Sequence, residues 1–119
     1  GLPALTRAVK LQKRAARVGF DWPKIDQVLD KVREEILELT EAKNPKHQYE
    51  EFGDLMFVMA NLARHMNIDP EQSLQDANKK FTRRFNGVEQ KLKEKNTTPS
   101  YSNLLEMDAL WDEVKKEEK

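Results

Sequence analysis

Apolar residues along this chain recur at threes and fours in five stretches separated by helix breakers, a pattern that predicts five helices and no strand. The first runs from about Pro3 to Val18, with a modest stripe of Leu5, Val9, Leu11 and Ala16, and Gly19 closes it. In Phe20-Asp21-Trp22-Pro23, Asp21 is placed to cap the second helix and Pro23 to open its first turn. That helix, Lys24 to Lys43, sets an apolar flank (Ile25, Val28, Leu29, Val32, Ile36, Leu39) beside a charged one of Lys31, Glu34, Glu35 and Glu38. The third, from about Lys46 to Met66, is apolar nearly all round after Asp54. It therefore belongs at the centre of a bundle or in a subunit interface, and a dimer at least is expected.

Asp69 is expected to cap a fourth helix, Pro70 to Lys95, with Leu74, Ala77, Phe81, Phe85, Val88 and Leu92 for its core. Lys80 and Arg84, four apart, form a basic ledge on it. After Asn96-Thr97-Thr98-Pro99, Ser102 is expected to cap a short last helix reaching Glu118 and carrying Leu104, Leu105, Met107, Leu110, Trp111 and Val114. The terminal run Lys115 to Lys119 is expected to fray. The fold class is all-α.

Two carboxylate clusters interrupt this plain helical pattern. Glu35 and Glu38 lie three apart on the second helix, and Glu51 and Asp54 three apart on the third, so each pair occupies one helix face, about 60° wide. Asn44-Pro45 in the connector stops one helix and lets the next fold back beside it, so the two pairs face each other. Each pair of unit charges at about 4 Å costs on the order of 4 kcal/mol at an effective dielectric near 20, so a cation has to fill the gap. Oxygen-only ligands, with no Cys in the chain and no His inside either cluster, suit Mg²⁺, or Mn²⁺ in its place, rather than zinc. Asn61, two turns beyond Asp54, faces the same way and is placed to complete a metal or phosphate site.

The bland reading of these residues is a solvated helix face, with Glu34 to Glu41 paired to Lys31, Arg33 and Lys43. Glu51 and Asp54 weigh against it, because they flank Gly53 at the entrance of a helix too apolar to lie on a surface. At 119 residues the chain is expected to be a single domain, Gly1 to Lys119. Its 21 basic and 21 acidic residues cancel, which removes any bulk attraction to nucleic acid or an anionic membrane. The absence of cysteine excludes disulfide staples and is compatible with a reducing cytoplasm. The longest apolar run, Leu55 to Ala63, is broken by Asn61 and is about half a membrane span. A soluble, cytoplasmic protein is expected. Two rival functions remain: a non-catalytic helical-bundle interaction domain using the third helix, and a nucleic-acid adaptor using the tract Lys79 to Arg84.

The order Glu-Glu-x-x-Glu, twelve residues, Glu-x-x-Asp, then Asn61-Leu62-Ala63-Arg64-His65 and Lys80-Phe81-Thr82-Arg83-Arg84-Phe85, resembles the MazG nucleoside triphosphate pyrophosphohydrolases. The likeness extends from Leu2-Pro3-Ala4-Leu5, through Gln12-Lys13-Arg14 and Val18-Gly19-Phe20-Asp21-Trp22, to Leu110-Trp111-Asp112-Glu113-Val114-Lys115. It is greatest to the C-terminal catalytic domain of two-domain bacterial proteins, so the chain is expected to be part of something longer, which fits Gly1 in place of Met. The resemblance implies a four-helix-bundle-like core with an additional C-terminal helix, a homodimer with active sites near the subunit contact, and hydrolysis of NTPs or dNTPs to a monophosphate and pyrophosphate. It implies Mg²⁺ on Glu35, Glu38, Glu51 and Asp54, and nucleotide contacts at Lys31, Glu34 and His47 to Glu50, with Glu50 among them. It further implies phosphate contacts at Lys80 and Arg84, and Trp111, with Lys115 one turn on, against the base or sugar. On these residue types Glu34 or Glu38 takes the proton from the attacking water. A house-cleaning role in the nucleotide pool is implied by the likeness alone.

Overall fold

Five α-helices and one 3₁₀ turn account for the regular structure of the described residues, with no strand among them. The computed structural model describes residues 1–118. The helices are α1 (Ala4–Ala16), α2 (Ile25–Glu41), α3 (Pro45–His65), α4 (Pro70–Glu94) and α5 (Leu104–Glu117), with the 3₁₀ turn at Pro99–Tyr101. The chain divides into two compact units, one from Gly1 to Ser73 and one from Leu74 onward. No helix among the described residues is long and apolar enough to cross a membrane.

In the first unit, α3 packs most extensively on α2 and also on α1. The chain leaves α1 through Gly19, whose φ of 91° a side chain would resist. The Phe20 N–H then reaches back to the Ala15 carbonyl at 3.1 Å and closes the helix end. Asn44 ends the three-residue connector 42–44. Its side chain accepts from the His47 N–H at 2.9 Å and caps α3, with Pro45 as the first helical residue. A connector that short brings α3 back along α2, so the faces carrying the acidic pairs meet. Ala8, Val28, Val58 and Ala60 are buried here, with the polar Gln12, Glu35 and Asn61 among them.

Within the second unit, Val88 and Leu92 of α4 meet Leu110 of α5, and Phe85, Met107, Trp111 and Val114 close round them. Phe81 lies parallel to Phe85 at 5.9 Å and tilted to Trp111 at 5.5 Å between ring centres. Lys91 Nζ and Glu117 lie 2.7 Å apart, joining the two helices.

Several expectations are corrected. Asp21 does not cap α2; Lys24 holds that position, and its N–H donates to the Gln27 side chain at 3.2 Å. Asn103 rather than Ser102 caps α5, accepting from the Glu106 N–H at 2.8 Å, because the 3₁₀ turn uses up the residues before it. Asp69 does cap α4, accepting from the Glu71 and Gln72 N–H groups at 3.0 and 3.1 Å. Leu74, Ala77 and Phe81, expected in the core, are exposed, and so are Leu104 and Leu105 of the last helix. The run from Lys115 was expected to fray, but α5 continues to Glu117 and Glu118 is held by Arg83 and Arg84; Lys119 lies outside the described residues.

Candidate active site

Glu35 and Glu38 rise from one face of α2 and Glu51 from the facing side of α3, and one carboxylate oxygen from each lies within 4.8 Å of the other two. The three differ in surroundings. The Glu35 side chain is 7% exposed and that of Glu51 15%, while Glu38 is open to solvent. Glu35 Oε2 and Glu51 Oε2 are buried without a hydrogen-bond partner. A buried acceptor left unmade costs about 1–3 kcal/mol, more for a charged one, so each of these oxygens calls for a donor or a cation.

Neighbouring cations answer only part of that demand. Lys31 Nζ lies 3.0 Å from Glu34 and 3.3 Å from Glu35 Oε1. Its ammonium is held above the usual lysine range, first by the hydrogen bond to Glu34 and then by that to Glu35, with burial opposing both. His47 Nε2 is 3.2 Å from Glu51 Oε1. In both carboxylates it is the other oxygen that stays unpartnered. Asp54, the fourth expected ligand, is not among the three clustered carboxylates. It lines, with Glu35, a cavity of about 280 Å³ that opens beside the cluster. Glu50 is exposed, and so is Glu34.

That cavity is walled by Phe20, Trp22 and Phe57 and carries the polar groups of Gln12, Lys31, Glu35, Asp54, Asn61 and Arg64. Asn61 Oδ1 accepts from Arg64 Nε at 2.9 Å, which fixes how its amide lies. Arg64 Nη2 and His65 Nε2 reach Asp21 Oδ1 at 2.6 and 3.0 Å and tie the α1–α2 connector to the end of α3. The Arg64 guanidinium, more than His65, holds the Asp21 carboxyl below its usual range against the opposing effect of burial. Gln12 and Arg64 stand in motifs that carry the resemblance, but the sequence assigned neither of them a role, nor Asp21 this one. Gln12 left a trace there, seven residues after Leu5 and three after Val9, as a polar residue on the apolar stripe of α1.

The remaining expected residues lie in the second unit. Arg84 is bound to Glu118, Nη2 to Oε1 at 2.9 Å, and its guanidinium lies 5.8 Å from the Trp111 ring centre. Arg84 lowers the Glu118 carboxyl below its usual range. Arg84 and Trp111 are thus together, while Lys80 and Lys115 project into solvent.

A family model described as phosphoribosyl-ATP pyrophosphohydrolase matches residues 2–81, which include both acidic pairs and every residue of the cavity. The chain belongs to the phosphoribosyl-ATP pyrophosphohydrolase family. Curated relatives extend the likeness beyond residue 81. The nucleoside triphosphate pyrophosphohydrolase/pyrophosphatase MazG of Thermotoga maritima is 40% identical over 114 residues, 96% of this chain and 45% of the relative. The nucleoside triphosphate pyrophosphohydrolase of Escherichia coli is 45% identical over 122 residues, 98% of this chain and 46% of the relative. An uncharacterized Bacillus subtilis protein, YabN, is 43% identical over 122 residues and is covered to 25% of its length. The chain spans about half the length of the first two. The resemblance to the MazG proteins is therefore borne out across nearly the whole chain.

Proposed function

We propose that this chain hydrolyses nucleoside triphosphates to a nucleoside monophosphate and pyrophosphate with Mg²⁺ held by Glu35, Glu38, Glu51 and Asp54. The observation that carries the proposal is the triad of carboxylate oxygens within 4.8 Å, two members of which keep a buried, unpartnered oxygen. At about 2.1 Å per bond, adjacent ligands of Mg²⁺ stand about 3 Å apart and opposite ones about 4 Å, so the three carboxylates would close in on a hard cation by about an ångström or two. The names of the relatives support the substrate class.

Bound Mg²⁺ would lower the charge on the phosphate chain and polarise its phosphorus toward attack. The protein's own groups do the rest. Glu34 or Glu38 accepts the proton of the attacking water. Lys31, held by Glu34 and Glu35, keeps a positive charge at the mouth of the cluster and orients both carboxylates. Glu50 borders the same end of α3. Lys80 and Arg84 are proposed as cations for the departing pyrophosphate, Arg84 by exchanging Glu118 for phosphate, with Trp111 and Lys115 beside the sugar or base. A homodimer, a cytoplasmic location and a house-cleaning role in the nucleotide pool complete the proposal.

The test is incubation with each NTP and dNTP in Mg²⁺, followed by ³¹P NMR. Monophosphate and pyrophosphate are expected, with no turnover when Mg²⁺ is chelated. Diphosphate and inorganic phosphate as products, or no turnover of any triphosphate, would refute it.

A further inference from the structure

Gln12 is 7% exposed, and only half of its amide is satisfied. Its Nε2 donates to the Phe57 carbonyl at 2.8 Å, whereas its Oε1 is buried and has no partner. The orientation of the amide is not open to reversal, because turning it over would set Oε1 against the Phe57 carbonyl oxygen. An unmade buried acceptor is a defect unless something arrives to donate to it. Gln12 lines the 280 Å³ cavity that Glu35 and Asp54 also line, and the flat side chains of Phe20, Trp22 and Phe57 wall the same space.

From this juxtaposition we infer that the cavity is a nucleobase subsite in which Gln12 Oε1 accepts a hydrogen bond from an N–H group on the base. The inference rests on the proposed triphosphate chemistry for the phosphate end of the ligand and deepens it. A planar, largely apolar ring with an N–H at its edge matches both features of the cavity: the aromatic walls take its faces and the orphaned oxygen takes its edge. Asn61, whose Oδ1 is engaged by Arg64, has only its amide N–H₂ left to offer, so the cavity also holds a donor for a ring nitrogen or carbonyl. Lys31 and Glu35, which share the lining, put the phosphate-bearing end toward the acidic cluster.

Discrimination of this kind is large, because a ligand lacking the donor leaves the buried acceptor unpaired. The test uses the unmodified chain and free nucleosides, so it does not depend on hydrolysis. Uridine should bind ten- to a hundredfold more tightly than N3-methyluridine, or adenosine more tightly than purine riboside, and the bound nucleoside should shift the Gln12 side-chain amide resonances in a ¹⁵N correlation spectrum. In the Gln12→Leu chain the ratio of kcat/KM for the nucleoside triphosphate to that for inorganic tripolyphosphate should fall ten- to a hundredfold. Equal binding of each nucleoside and its donor-less analogue, or an unchanged ratio in a folded Gln12→Leu chain, would overturn the inference and leave Gln12 a tether between α1 and α3. Nucleoside binding through Gln12 without any triphosphate turnover would instead sink the hydrolase reading and leave the subsite standing.

Discussion

Three carboxylates within 4.8 Å of one another repel until a cation reaches them, and Glu38 is the exposed member of the three. Glu38→Gln keeps the size and removes one charge, so in chelator the variant should be more stable than the native chain by about 0.5–1 kcal/mol, a few degrees in Tm. Saturating Mg²⁺ reverses the order. The native chain gains about 2.7 kcal/mol at a hundredfold excess over Kd, and the variant gains little. Thermal melts in EDTA and in Mg²⁺ measure both, and an equal Mg²⁺ shift in the two chains would remove Glu38 from the metal site. The acidic pairs were legible in the sequence because a spacing of three within one helix fixes a shared face locally. Gln12 was not, because its meaning depends on the Phe57 carbonyl 45 residues away and on a neighbouring oxygen that nothing satisfies.

At the scale of elements, two helical glycines of similar appearance should behave oppositely. A Cβ on Gly53 of α3 would meet nothing within 4 Å, whereas one on Gly87 of α4 would come 2.9 Å from Val114 Cγ2 of α5. Gly53→Ala should therefore stabilise the chain by about 0.5–1 kcal/mol, and Gly87→Ala should cost about 1–3 kcal/mol by pushing α4 and α5 apart. Urea titrations of both variants check the signs, and destabilisation by Gly53→Ala would mean that a neighbour does approach that helix face. The α1–α2 connector offers a pH counterpart. Asp21 has its carboxyl lowered below 3.8 by Arg64, so its contribution is complete above that value and drains away as pH falls through the lowered one. Asp21→Asn should cost about 1 kcal/mol at pH 7 and nothing once both chains are below the native value; an equal deficit at pH 7 and pH 2 would show that charge is not what pins the connector. The helices were readable from periodicity to within a residue or two. Their caps were less so, because Asp21 satisfies α3 rather than the helix that follows it, and the 3₁₀ turn shifts the α5 cap from Ser102 to Asn103.

The apolar residues left uncovered concern the whole molecule. Periodicity states which face of a helix is apolar but not what covers it, which is why Leu74 and Phe81 could be assigned to a core and yet lie exposed. On α3 the same limit applies to Phe52, Met56 and Met59, and on the adjoining α2 to Ile36 and Leu37; all five are more than a third exposed. A surface of that composition on two packed helices is what a second copy of the chain would cover, since specific interfaces bury roughly 800 Å² per partner around an apolar centre. Sedimentation equilibrium at tens of micromolar should therefore give twice the 13.9 kDa of one chain. Met59→Arg, which places a charge on that face, should return the mass to a single chain and leave the helical circular dichroism intact. A native chain that sediments as a monomer at that concentration, or a Met59→Arg chain that still dimerises, would assign these side chains to some other neighbour and remove the subunit contact from the account of the site.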